Sequence, residues 1–345
     1  MGNEFCAIST KLKAMRAGHL TSAEYSDLLE KHSVGEICSY LKQTVYQSVL
    51  SDLNEQDIHR GRLEDRLEQK NREDYLKLFT FVDLDRRKLI RFFFMRDEIK
   101  VLKRVLRQCF NHEQTFSPRM DEVKGRFFKE HSKINIELLM QSRNINSVAE
   151  SCRDTVFYSV LSHAASTNAD YPMVCMMIDR LYFQSLWSAV GKYVDKAQRD
   201  SLKKYIGSQI DYLNIMWIYR CKRYFKMSNE LIYTYLVPVY YRLTKEDITA
   251  MVEAADIETC EKIISSGRYS DILYSEDENF LIERNYKKIC YKNAKRAYKL
   301  CPETMTEIFA FFDLQTIETE NLETIIEGVR YNVAPELVRR YIYID

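Results

Sequence analysis

The sequence predicts an all-α protein built from three related helical domains. Gly and Pro contribute only 9 and 5 of the 345 residues, and this scarcity favours long helices over turn-rich β structure. Apolar residues also recur at spacings of three and four, as in Val101, Leu102, Val105 and Leu106, which is the spacing of one helix face. The third observation is an internal repeat whose copies each cover about a third of the chain.

The repeat is clearest in three apolar blocks, at 46–50, 157–161 and 269–273, which lie 111 and then 112 residues apart. In the same register, Leu28, Leu139 and Met251 correspond. Positions 37, 148 and 260, and positions 41, 152 and 264, are likewise apolar or cysteine in every copy. A repeated apolar pattern predicts a repeated packing unit and a pseudo-threefold molecule. We place the copies at residues 1–114, 115–227 and 228–345.

Helix starts can be assigned in each copy. In the first, Ser33 precedes Glu36 at the spacing of a capping box. In the second, Pro172 suits the first turn of a helix, where its missing N–H costs nothing. In the third, Asp256 and Pro335 each favour a further helix start.

Composition limits the class of protein. The 51 basic and 50 acidic residues leave a net charge of +1, so no overall field attracts nucleic acid or an anionic membrane. The odd number of cysteines, nine, and their place in apolar helix patterns predict reduced core thiols in a cytoplasmic protein. The amino terminus lacks the pattern of a secretory signal. The most apolar stretch, 89–95, is short and contains Arg91, which predicts no membrane insertion.

Motifs for catalysis or cofactor binding are missing from the sequence. The nine glycines form neither a GxGxxG pattern nor a P-loop. The six histidines show no HExxH spacing, and no cysteine pair has CxxC spacing. We therefore predict no catalytic residue, no cofactor and no metal site.

The sharpest local features are basic clusters interleaved with aromatic residues. We take seven of their residues as a candidate partner interface: Arg86, Arg87, Arg91, Lys222, Arg223, Lys295 and Arg296. Such a mixture could bind single-stranded nucleic acid, but the near-zero net charge favours the charged outer faces of amphipathic helices. A protein interface is the third interpretation, since Arg and Tyr are favoured anchors there.

Several stretches together resemble a known family. Residues 178–183, 210–215 with Arg220, and 320–328 leading to 335–339 are similar to the C subunit of archaeal and bacterial V-type (A-type) ATPases, whose eukaryotic equivalent is the d subunit. The resemblance covers essentially the whole chain. The first copy departs from it, because 97–103 replaces the family's clearer Asp-x-x-Asn pattern.

The resemblance implies a non-catalytic rotor adaptor. It implies a funnel of three helical domains around a central cavity, seated on the membrane c-ring and receiving the central-stalk subunits of D and F type. ATP hydrolysis or synthesis would thereby be coupled to proton or sodium transport. The chain would be cytoplasmic and peripheral to the membrane, without nucleic acid. The alternatives are an unrelated helical repeat scaffold and a nucleic-acid-binding helical protein.

Overall fold

The computed structural model describes residues 2–56, 58–111, 122–273 and 281–344, and every regular element in these ranges is a helix. The all-α prediction is therefore confirmed. The α-helices are α1 (Gly2–Arg16), α2 (Ser22–Leu29), α3 (Val34–Leu41), α4 (Gln47–Leu50), α5 (Arg60–Phe79), α6 (Leu84–Asn111), α7 (Glu122–His131), α8 (Ile136–Gln141), α9 (Ile145–Ser151), α10 (Phe157–Ser166), α11 (Tyr171–Tyr193), α12 (Lys196–Arg220), α13 (Asn229–Tyr235), α14 (Lys245–Glu253), α15 (Ile257–Ser266), α16 (Ile282–Leu300), α17 (Met305–Arg330) and α18 (Pro335–Arg339). A π-helical turn, Cys221–Phe225, continues α12, and a 3₁₀ turn, Ser270–Leu273, follows α15.

After α1, the helices follow one order three times: three short elements, two long helices and a short closing helix. Grouped by this order, the copies are α2 to α7, α8 to α13, and α14 to α18, in which the 3₁₀ turn is the third short element. This grouping, which is used below, counts α7 and α13 with the preceding copy, whereas the limits taken from the sequence count them with the following one. The N-cap residues of α3, α9 and α15 are Ser33, Asn144 and Asp256, spaced by 111 and then 112 residues. The sequence register therefore coincides with the helix register.

The arrangement of the copies about an axis, the funnel and the domain limits stay predictions. The limit between residues 114 and 115 lies outside the described residues.

The predicted helix starts occur where the sequence placed them. The Ser33 hydroxyl accepts the Glu36 N–H at 3.1 Å, while the Glu36 carboxylate accepts the N–H of His32 at 2.9 Å. Half of the capping box is thus formed, and the return bond reaches one residue further back than the motif requires. Pro172 and Pro335 both lie in the first turn of their helices, α11 and α18.

The chain divides into two compact units, residues 1–83 with 287–345, and residues 84–286. In the first unit, α17 packs on α2, α3 and α5. In the second unit, α6 packs on α9, and α12 packs on α14 and α15. In each case the second long helix of one copy covers the short helices of the next, and the third copy covers the first.

Burial at the aligned positions follows the repeat. Leu28, Leu139 and Met251 are all buried. Cys152 and Cys260 fill core positions that Leu41 and Ile37 occupy in the first copy, and both are free thiols. Burial raises the pKa of each thiol to about 11, so both stay protonated at neutral pH. These cysteines therefore act as small apolar core residues.

Replacing two glycines by alanine should change stability in opposite directions. A Cβ on Gly328 in α17 would lie 2.4 Å from Cγ2 of Val338 in α18, whereas a Cβ on Gly191 in α11 would meet nothing within 4 Å. We expect Gly328→Ala to lower the free energy of unfolding by about 2 kcal/mol through overpacking. Gly191→Ala should raise it by about 0.5 kcal/mol, since alanine favours the helix. Denaturant unfolding of both variants tests this, and shifts in the same direction would contradict it.

Candidate docking surfaces

A buried carboxylate on α12, Asp211, joins the second copy to the third. It accepts the backbone N–H groups of Tyr241 at 3.4 Å, Arg242 at 2.8 Å and Leu243 at 3.1 Å. It also accepts the hydroxyl of Tyr269 at 2.6 Å. Burial raises the pKa of this carboxyl, and the four hydrogen bonds oppose the rise. The side chain is fully buried and fixes the loop before α14 together with the turn after α15.

Glu318 on α17 makes the equivalent joint between the third copy and the first. Its carboxylate accepts the Leu20 N–H at 3.0 Å and the Tyr46 hydroxyl at 2.8 Å. Leu20 and Tyr46 correspond to Leu243 and Tyr269 in the repeat register. His19 Nδ1 lies 3.1 Å from the same carboxylate. We call Asp211, Glu318 and their counterpart Glu98 the joint carboxylates.

The joint on α6 is less complete. Phe157 stands where the other copies have Tyr46 and Tyr269, so no tyrosine hydroxyl is available there. Glu98 accepts the hydroxyl of Ser132 at 2.5 Å. Burial raises the pKa of the Glu98 carboxyl, and this bond offsets only part of the increase.

We therefore expect Glu98→Gln to change how the free energy of unfolding depends on pH. Because the folded state binds the Glu98 proton more tightly than the unfolded state, the wild type gains stability as pH falls through the folded pKa and loses it as pH rises. The glutamine variant has no such dependence and still accepts from Ser132. We expect it to be at least as stable as the wild type at pH 8 and relatively weaker near pH 5. Denaturant unfolding at both values measures this; a wild-type advantage that grows toward alkaline pH would contradict it.

Two asparagines, each three residues beyond a joint carboxylate, hold the closing segments of their own copies. Asn214 donates to the Val237 carbonyl at 3.0 Å and accepts its N–H at 2.9 Å. Asn321 binds Tyr343 in the same way, with both bonds at 2.8 Å. The first copy has Val101 at this position. Asp-x-x-Asn in the second copy and Glu-x-x-Asn in the third therefore combine a joint to the next copy with a clamp on the closing segment.

The ends of α12 and α17 correspond, apart from one extra residue in α12. Asn214 and Asn321 are 107 residues apart, but the left-handed residues that follow, Lys226 (φ 49°) and Asn332 (φ 53°), are 106 apart. The π-helical turn lies between Asn214 and Lys226, and such a turn accommodates a one-residue insertion. Beyond it, the closing helices α13 and α18 begin in register.

These ends expose apolar side chains. The α13 surface consists of Tyr224, Leu231 and Tyr233, and the α18 surface consists of Tyr331, Val333, Leu337 and Tyr341. Leu231 and Leu337 correspond in the register and are 42% and 48% exposed, whereas their neighbours Ile232 and Val338 are buried. Arginine lies beside both surfaces, because the Arg330 guanidinium is 5.2 Å from the Tyr331 ring centre and Arg223 is exposed. Tyr and Arg are enriched among binding hot spots, and exposed apolar patches rimmed by polar residues mark protein interaction sites.

Comparison with known families identifies the chain. Residues 8–341 match the family model described as ATP synthase (C/AC39) subunit. The chain belongs to this family. No curated protein matches it. The resemblance drawn from the sequence is therefore confirmed, and membership places the chain among the subunits of a rotary ATPase.

In this C/AC39 family member, the predicted pair Lys222 and Arg223 lies in the π-helical turn beside the α13 surface. The half-buried Lys222 ammonium donates to the Val252 carbonyl at 2.7 Å, near the C-terminus of α14. Arg223 is exposed and pairs with Glu261 at 3.2 Å. Lys222 is thus engaged within the unit as a helix cap, whereas Arg223 stays at the surface.

The three arginines predicted in the first copy lie on the N-terminal half of α6 and differ in exposure. Arg86 is buried, Arg87 is half-buried and Arg91 is exposed. Leu84, at the start of the same helix, is 74% exposed. The exposed part of this cluster therefore combines an apolar and a basic side chain.

Lys295 and Arg296 of the C/AC39 family member lie on α16. Arg296 is exposed, and Lys295 is half-buried with its ammonium 5.6 Å from the Tyr291 ring centre. That these seven basic residues form a partner interface stays a prediction. The sequence analysis did not identify the leucines and most of the tyrosines of the α13 and α18 surfaces. In the sequence, these leucines differ in no visible way from the buried apolar residues beside them.

Two kinds of feature are missing from the described part of the chain. No group of three or more His, Cys, Asp or Glu residues within it could hold a metal ion. None of its helices combines the length and the apolar character that a membrane span requires.

Proposed function

We propose that this chain is a non-catalytic rotor adaptor of a V-type or A-type ATPase. It couples the central stalk, through D-type and F-type subunits, to the membrane c-ring, and so links ATP hydrolysis or synthesis to proton or sodium transport. The observation that carries the proposal is the match of residues 8–341 to an ATPase subunit family. The chain is cytoplasmic and reaches the membrane through the complex.

The position of the exposed apolar residues supports a two-sided role. In the third copy, Leu300 is 62% exposed just before α17, and Tyr331 and Leu337 are exposed beyond its other end. The 26 residues of α17 separate these sites by about 39 Å. An adaptor needs separate sites for its two partners, and we assign the α13 and α18 surfaces to the stalk because a helical shaft needs apolar anchors.

The joint carboxylates support the transmission of torque. The long second helices α12 and α17 are each fixed to the next copy by hydrogen bonds to a carboxylate as well as by apolar packing, through Asp211 and Glu318. Buried polar networks whose members are all bonded favour one rigid arrangement. A rotor part must not yield between its two partners, so such joints suit this function.

Reconstitution tests the proposal. The purified full chain is mixed with D-type and F-type stalk subunits and, separately, with detergent-solubilised c-ring, and the products are analysed by size-exclusion chromatography. We expect a stoichiometric complex with each. Failure to bind either partner at micromolar concentration, together with salt-sensitive binding to single-stranded RNA, would instead support a nucleic-acid-binding protein.

A further inference from the structure

The helix α16 carries an unusual concentration of positive charge. It contains seven basic residues and one acidic residue, in a chain whose net charge is +1. Five of the basic residues are exposed. Lys287 pairs with Glu320 at 2.8 Å, whereas the other four form no ion pair with a described residue: Lys288, Lys292, Arg296 and Lys299. We call these four the α16 stripe.

The stripe has a defined geometry. At 100° and 1.5 Å per residue, its four positions fall within about 80° of the helix circumference and extend over about 16 Å. Ile282, Ile289 and Ala294 are buried and lie outside this arc: Ile282 and Ile289 within about 40° of its edge, and Ala294 about 160° from its centre. The charges therefore point outward from a helix that is already packed through its apolar face.

Composition distinguishes the stripe from the α13 and α18 surfaces. Three of its four cations are lysine, and no exposed apolar residue lies between them along the helix. Lysine is depleted at protein–protein interfaces, where apolar and aromatic anchors supply most of the binding energy. Clusters of four or more basic residues along an amphipathic helix are instead typical of contacts with anionic lipid headgroups.

We propose that the α16 stripe binds anionic lipid headgroups. This inference rests on the proposed function, which brings the chain to a membrane-embedded ring. The contact is electrostatic and lies at the surface of the bilayer, so it needs no membrane-spanning helix. The contact keeps this side of the adaptor near the membrane, while individual lipid headgroups bind to the stripe and leave it.

Vesicle cosedimentation of the full chain tests the proposal without any ATPase partner. Vesicles of phosphatidylcholine alone are compared with vesicles of two parts phosphatidylcholine to one part phosphatidylserine. The stripe variant carries K288Q, K292Q, R296Q and K299Q. A control variant carries K13Q, R62Q, K196Q and K204Q, four exposed basic residues on other helices, and so has the same net charge.

We expect the wild type and the control to bind the anionic vesicles, and the stripe variant to bind at least ten-fold more weakly. Neutralising Lys288 or Lys299 alone, at opposite ends of the stripe, should each weaken binding about five-fold. Added salt should weaken wild-type binding, because these charges are exposed.

Equal losses in the stripe and control variants would overturn the proposal, because the effect would then be one of net charge. A loss on neutralising Lys299 with no loss on neutralising Lys288 would also overturn it, because the stripe would then not act as a whole. If the stripe variant kept vesicle binding but lost a stalk partner, the stripe would be a site for an acidic protein helix. The reconstitution with stalk and ring uses no added anionic lipid, so the rotor assignment and the lipid contact can fail independently.

Discussion

Asp211→Ala is expected to lower the free energy of unfolding by about 4 kcal/mol. The substitution leaves the N–H groups of Arg242 and Leu243 and the hydroxyl of Tyr269 without the acceptor they have in the native fold. Each buried donor that loses its partner costs about 1–3 kcal/mol, and bonds to a charged acceptor lie at the upper end. The truncated side chain also leaves a cavity in a fully buried site.

Denaturant unfolding measures this loss, and Asp200→Ala is the matched control. Asp200 lies on the same helix but is exposed, so its removal should change stability by no more than about 0.5 kcal/mol. Similar losses in the two variants would mean that the carboxylate does not join the copies. The family assignment would be unaffected by that result.

Much of the local fold could be predicted from the sequence, because its causes are local. Ser33 and Asp256 cap helices since each places a side-chain oxygen beside free N–H groups. The repeat register also correctly indicated buried positions such as Leu28 and Leu139. The packing of α17 on α2 and α3 joins residues almost 300 positions apart, and no local pattern specifies such a contact.

The functional surfaces were harder to predict for a related reason. Lys222 and Arg223 look equivalent in the sequence, but Lys222 donates to the Val252 carbonyl while Arg223 is exposed. Charge patterns do not distinguish a capping lysine from an available one. Leu337 and Val338 show the same ambiguity among apolar residues, because only the packing of α18 determines which of them points outward.

The second large effect concerns docking to the central stalk. We expect Leu231→Glu and Leu337→Glu each to weaken binding of the stalk subunits about 30-fold, as loss of an interface hot spot does. Both leucines are about half exposed in the free chain, so a complex that covers them would have to bury an unpaired carboxylate in each variant. Isothermal titration calorimetry with the D-type and F-type subunits measures the change.

Leu138→Glu is the matched control, because Leu138 is a 38% exposed leucine on another short helix, α8. It should retain wild-type affinity. Because all three leucines are partly exposed, each variant should unfold within about 1 kcal/mol of the wild type, so weaker binding cannot be ascribed to misfolding. If Leu231→Glu and Leu337→Glu kept full affinity while the wild type formed the stalk complex, the stalk would have to dock elsewhere. The exposed residues Leu84, at the start of α6, and Leu300, at the end of α16, would then be the next two sites to test separately.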